Sequence, residues 1–203
     1  MEIVVLVEND AYNFLQSEGG NITWTFTDKL DSFLAHKNAD AYFDLRSSAT
    51  ADYSSIAKPI FINNMVETLA ENNHNSNIIR INAWPGFIET ELWELAGVLS
   101  TDAKFILEKL HKKYVAVPDE PGFISARIIA MIINEAFFAL DDNVSTKKDI
   151  DIAMKLGTNY PYGPFEWCEK IGVQRVYKLL VKLSLTDNRF LPSAGIVAAT
   201  KNI

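Results

Sequence analysis

The chain has 203 residues, 48% hydrophobic and 22% charged, with a formal net charge of −7. That is apolar enough for a packed core and too acidic for a nucleic-acid surface. No apolar run approaches the roughly 20 residues a membrane span needs. The acidic start MEIVVLVEND reads as a strand, not a signal peptide. Cys168 is the single cysteine, so no internal disulfide forms, and a cytoplasmic setting with a small buried thiol is expected.

Short apolar runs alternate with helical patterns up to about residue 119. Strands are expected at Ile3–Val7, Ile22–Phe26, Ala41–Leu45, Pro59–Ile62, Asn77–Asn82 and Tyr114–Val117. Helices are expected after a Thr27 or Asp28 cap through His36, over Met65–Glu71, and over Ala103–His111, with a turn at Trp84-Pro85-Gly86. This alternation implies βαβ units and a parallel sheet covered on both faces. Residues 1–119 carry 17 acidic against 9 basic side chains, and residues 120–203 carry 9 against 10.

The pattern changes at Asp119-Glu120-Pro121-Gly122. Phe123–Leu140 reads as one long helix, apolar on most sides and therefore in need of burial all round. Ser145 or Thr146 caps a second helix that Gly157 is expected to close. Gly163-Pro164 opens a third, which Gly172 ends. Val173–Leu185 is a fourth, with Val176, Leu179, Leu180 and Leu183 on one face and Lys178 and Lys182 on the other.

This second half resembles a known family. Val115–Ile124 followed by Arg127, then Asn134-Glu135-Ala136, Asp149–Gly157, Tyr160–Glu166, Ile171-Gly172 and Arg189–Pro192 are similar to the helical C-terminal domain of NAD-dependent 3-hydroxyacyl-CoA dehydrogenases. These are packing and turn devices, and they identify a fold before a reaction. The resemblance implies a truncated Rossmann-like α/β domain over residues 1–119, followed over 120–203 by an all-α domain of the 3-hydroxyacyl-CoA dehydrogenase type. It also implies a role in acyl-CoA and fatty-acid metabolism, and NAD as the family's cofactor. Family C-terminal domains pair, so a homodimer through the helical half is expected.

The first half departs from the family. Where members carry a G-x-G-x-x-G turn to seat the dinucleotide pyrophosphate, this chain has Glu8-Asn9-Asp10-Ala11-Tyr12-Asn13, and Gly19-Gly20 comes too late. No cofactor is expected to bind. The family's catalytic His and the Glu twelve residues later align with Asn82 and Glu94, and the substrate-orienting Asn aligns with Pro85. Asparagine has no pKa suited to accepting a proton. The Asn before the Arg of the long helix is Ala126, and the family serine falls in Asn63–Val66, which holds no hydroxyl. Glu94 is thus a relic of the dyad or simply an exposed acid.

Other features read plainly. The acids Glu89, Glu91 and Glu94 fit no metal-loop spacing, and a solvated face explains them. His36, His74 and His111 fall at helix ends or in polar loops. Lys170, Arg175, Lys178 and Lys182 form a basic stripe that suits a CoA tail or a solvated face. Asn134-Glu135 inside an apolar helix calls for hydrogen-bond partners. The resulting expectation is a degenerate, non-catalytic member acting as an acyl-CoA-binding or interaction protein, with no substrate-contacting residue identified. The alternatives are a working NAD-dependent oxidoreductase with an altered cofactor loop, and a subunit that completes a site with a partner chain.

Overall fold

Successive side chains of a strand point to opposite faces of its sheet, and β1 (Glu2–Leu6) uses both faces for burial. Ile3 and Val5 join one apolar cluster, while Val4 and Leu6 join another. The computed structural model describes residues 1–8, 15, 20–47, 49–72 and 75–201. Asn9–Asn13, Gly19 and His74, all singled out from the sequence, lie outside the described residues.

The chain divides into two units, Met1–Ala83 with Phe87–Glu120, and Trp84–Gly86 with Pro121–Ile203. In the first, β1 is followed by β2 (Thr23–Thr27), α1 (Leu30–Ala35), β3 (Ala41–Asp44), β4 (Ile60–Ile62), β5 (Ile78–Ile81), β6 (Leu92–Gly97), α2 (Thr101–Lys109) and β7 (Lys113–Ala116). The strands form one sheet in the order β2-β1-β3-β4-β5-β6-β7. Phe33 of α1 packs with Val4, Leu6, Tyr42, Ile60 and Ile62. Ala103, Ile106 and Leu107 of α2 pack with Ile3, Val5, Phe43 and Phe61 on the other face.

The sheet is mixed, not wholly parallel. β6, which the sequence reading passed over as an acidic segment, runs antiparallel to β5, with Ile79 opposite Gly97, Arg80 opposite Ala96 and Ile81 opposite Leu95. Trp93 holds it in place. Its ring is buried against Phe43, and its Nε1 donates to the Ile88 carbonyl at 2.9 Å. Met65–Glu71 contains turns instead of the expected helix. There the Asn64 side-chain oxygen accepts from the Val66 and Glu67 amides, and Glu71 accepts from the Thr68 amide. Such local bonds compete with the helical ladder.

The second unit is helical: α3 (Ser125–Asp141), α4 (Lys147–Thr158), α5 (Pro164–Ile171), α6 (Val173–Ser184) and α7 (Ala194–Thr200), with a 3-10 turn at Asn188–Phe190. α3 starts two residues later than expected because Gly122 and Phe123 both take positive φ, 76° and 45°. α4 runs through Gly157 and stops at Asn159, whose φ of 57° supplies the left-handed cap. Asn134 donates to the Leu191 carbonyl and accepts from the Ser193 amide, tying α3 to the segment that precedes α7. Glu135, which the sequence placed among buried groups, is exposed. Asp151 of α4 caps α5 by accepting from the Phe165 amide at 2.8 Å.

Candidate functional site

In open α/β sheets, ligands bind beyond the carboxyl ends of the strands, where strand order reverses. Here β1 has β2 on one side and β3 on the other, both parallel to it, so the reversal lies between β1 and β3. Two carboxylates, Glu8 and Asp44, stand at that edge. Glu8, just past β1, accepts a hydrogen bond from the Ser47 hydroxyl at 2.9 Å, joining the two strand ends. Asp44, fully buried at the end of β3, accepts from Arg46 Nε at 2.9 Å, from the terminal Arg46 nitrogen at 2.6 Å and from the Tyr53 hydroxyl at 2.6 Å. Asp44 holds the Arg46 guanidinium above its ordinary pKa. Burial, reinforced by the Asp44 charge, pushes the Tyr53 hydroxyl upward.

A pyrophosphate entering at this point meets the Glu8 carboxylate, and the nearby guanidinium is already committed to Asp44. Like charges repel here, so these residues do not fit a dinucleotide's phosphates. Past β4, Asn63 donates to the Arg46 carbonyl at 3.2 Å. Among the described residues, the Asn63 side-chain oxygen and the Asn64 side-chain nitrogen are buried without a hydrogen-bond partner. Such groups cost about 1–3 kcal/mol each unless water or a ligand satisfies them.

The positions read as the dyad meet across β5 and β6. Asn82 continues the β5 register by one residue, and its backbone N–H donates to the Glu94 carbonyl at 3.4 Å. Directly opposite residues of an antiparallel ladder direct their side chains to the same face. Asn82 is 3% exposed, and Glu94 is partly buried in β6. Pro85 lies in the second unit with Trp84 and Gly86 and offers no polar side chain.

Behind this edge, sequence reasoning missed a buried charge. The Arg80 side chain has no solvent exposure and pairs with Asp119 at 2.5 Å, while its Nε donates to the Asn64 carbonyl at 2.8 Å. Burial lowers its pKa, opposed by Asp119. The partners stand 39 residues apart, and no local pattern signals them. The remaining sequence candidates stay separate. His36 lies 3.9 Å from Glu2, and His111 sits past α2 at φ 54°. Lys170 lies over the Tyr162 ring, whereas Arg175 donates to the Ile171 carbonyl. Among the described residues no group of three or more metal-ligating side chains occurs, and no helix is long and apolar enough to cross a membrane.

Comparison with known proteins places this architecture. Residues 122–195 match the family model for the 3-hydroxyacyl-CoA dehydrogenase C-terminal domain. The chain is 46% identical over 81 residues to 3-hydroxyadipyl-CoA dehydrogenase of Escherichia coli, covering 40% of this chain and 17% of that protein. It is 36% identical over 115 residues to 3-hydroxybutyryl-CoA dehydrogenase of Bradyrhizobium diazoefficiens, covering 53% and 39%. The chain thus spans between a sixth and two fifths of these curated relatives. The crystal structure of (S)-3-hydroxybutyryl-CoA dehydrogenase from Ralstonia eutropha superposes with a TM-score of 0.66 over 89% of this chain and 70% of that one, at 22% identity, which shows the fold. The helical C-terminal domain of this chain belongs to the 3-hydroxyacyl-CoA dehydrogenase superfamily, and the α/β region before it is reduced.

Proposed function

We propose that this protein is a non-catalytic member of the superfamily that acts as an acyl-CoA-binding or interaction protein in acyl-CoA metabolism. The observation that carries the reading is the pairing of Asn82 with Glu94 across β5 and β6. It keeps the two dyad positions adjacent while putting a group that cannot accept a proton where general-base chemistry needs one. The Glu8–Ser47 contact at the strand reversal supports the same conclusion for the cofactor. The substrate class comes from the relatives, which are named as dehydrogenases of 3-hydroxyacyl-CoA thioesters.

The protein is a homodimer through its helical unit in this reading. Ile124, the residue before α3, and Ile128 within it are exposed, the latter at 53%. Further along α3 a mostly apolar groove of about 250 Å³ is lined by Ile132, Glu135, Ala136, Ala139, Ile150 and Met154. A two-fold partner offering the same face covers it.

A thermal-shift series with NAD, NADH, acetyl-CoA, butyryl-CoA and acetoacetyl-CoA tests the ligand assignment, because a ligand that binds only the folded state raises Tm by mass action. The expected result is a concentration-dependent rise with an acyl-CoA and none with NAD or NADH. A rise with NADH removes the cofactor argument, and no rise with any thioester removes the acyl-CoA assignment.

A further inference from the structure

A second cavity lies wholly within the helical unit. It encloses about 310 Å³, at the lower end of the range for small-molecule sites. A cavity half that size is enough for a benzene ring. Phe137 of α3, Phe165 and Cys168 of α5, Val173 of α6 and Ala199 of α7 supply walls that are mostly apolar. The two rings meet edge-on with centroids 5.0 Å apart.

One cation stands over this apolar interior. Lys147 Nζ lies 5.7 Å from the Phe137 centroid and 5.4 Å from that of Phe165. Among the described residues no carboxylate lies within ion-pair distance of it. Lys147 is also the first residue of α4, where the helix dipole is already positive and disfavours a further cation. Glu169 also lines the cavity, but among the described residues it forms no ion pair with Lys147. At Cys168, whose thiol burial raises to about 11, the opposing effect of Lys147 outweighs the reinforcing effect of Glu169. Among the lining residues Lys147, itself exposed to solvent, supplies the one cation that an anionic ligand could meet.

We propose that this cavity binds a small apolar monocarboxylate, with one aromatic ring or a short aliphatic chain between Phe137, Phe165, Val173 and Ala199 and its carboxylate on Lys147. The ammonium gains the counter-ion it lacks, and the tail displaces water from an apolar surface. A ligand of this size binds with Kd on the order of millimolar.

The test uses the full chain with benzoate and hexanoate, and with benzamide and benzylamine as the neutral and cationic counterparts of benzoate. Cys168 is the only cysteine, so the rate of its alkylation by iodoacetamide, read by intact mass, reports cavity occupancy. Both carboxylates are expected to slow alkylation saturably, with benzamide at least tenfold weaker than benzoate and benzylamine without effect. Lys147→Met is expected to weaken benzoate about tenfold and leave benzamide unchanged. Ala199→Phe, which fills the cavity, is expected to abolish protection by every probe while a cooperative thermal transition persists. The proposal is overturned if the carboxylates give no saturable protection, if benzamide or benzylamine matches benzoate, or if Lys147→Met leaves benzoate unaffected. None of these outcomes depends on acyl-CoA binding or turnover.

Discussion

The backbone N–H of Asn82 donates to the carbonyl of Glu94, so two residues twelve apart in sequence face each other across an antiparallel ladder. The segment between them turns back over residues 84–91 and returns as β6, held by the buried Trp93. A carboxylate beside an imidazole raises its basicity and orients it. A carboxylate beside an amide has no proton acceptor to tune. The ladder sets the Asn82 and Glu94 positions opposite each other through their backbones.

The Arg80–Asp119 pair should dominate the stability of the α/β unit. Removing Asp119 takes away a carboxylate that compensates a fully buried guanidinium, at about 3 kcal/mol. Asp119→Ala, which also frees the Leu69 amide, should lower the urea midpoint accordingly. Adding Arg80→Met should recover part of the loss. A double mutant no more stable than Asp119→Ala would show that the pair is not coupled in this way.

Alkaline pH should destabilise the fold through its buried tyrosines. Burial raises the pKa of Tyr53 and Tyr42, and Asp44 reinforces the effect at Tyr53. A raised folded pKa gives stability that is fully present below the unfolded value of about 10 and is lost as pH climbs through the folded value. Urea midpoints should therefore fall above about pH 10. Tyr53→Phe should cost about 1–3 kcal/mol at neutral pH, by removing a hydrogen bond to a charged group, and should flatten the alkaline decline. An unchanged decline in that variant would rule out Tyr53 as its source.

Gly86 should tolerate no side chain. Its φ is +94°, and a Cβ there would stand 2.3 Å from Trp167 Cζ3. Left-handed strain and overpacking each cost about 1–3 kcal/mol, so Gly86→Ala should lower Tm clearly. Far-UV circular dichroism melts measure this directly, and a wild-type Tm would refute the close approach.

The exposed flank of α3 should carry the dimer contact. Light scattering behind a sizing column should give twice the monomer mass at micromolar concentrations. Ile128→Asp, a change at a side chain the single chain leaves half-exposed, should give a folded monomer. A monomer mass for the unmodified protein would remove the interface.

Much of the fold was legible in the sequence because its signals are local. The buried run Ile3–Val7 announced β1, the β-branched and aromatic run Ile22–Phe26 announced β2, and Gly163-Pro164 announced the start of α5. β6 was hidden by Glu91 and Glu94, which read as a solvated face because one side of that strand is only partly buried. α7 is too short for its periodicity to show. Phe123 was assigned to the long helix because an apolar residue gives no warning of a left-handed backbone. In the candidate site, Asn82 and Glu94 were singled out by their spacing and the family resemblance, and the ladder brings them opposite each other. The Asp44–Tyr53 and Arg80–Asp119 contacts and the cavity beneath Lys147 were not, since each joins side chains that only the folded chain brings together.

The most direct test of the central claim is turnover. Purified protein should be mixed with NADH and acetoacetyl-CoA and NADH absorbance followed, alongside Asn82→His. The account predicts no enzyme-proportional loss of NADH for either protein, because the base and the cofactor turn are both missing and groups that act as a unit are not restored singly. A rate proportional to the concentration of the unmodified protein would contradict it.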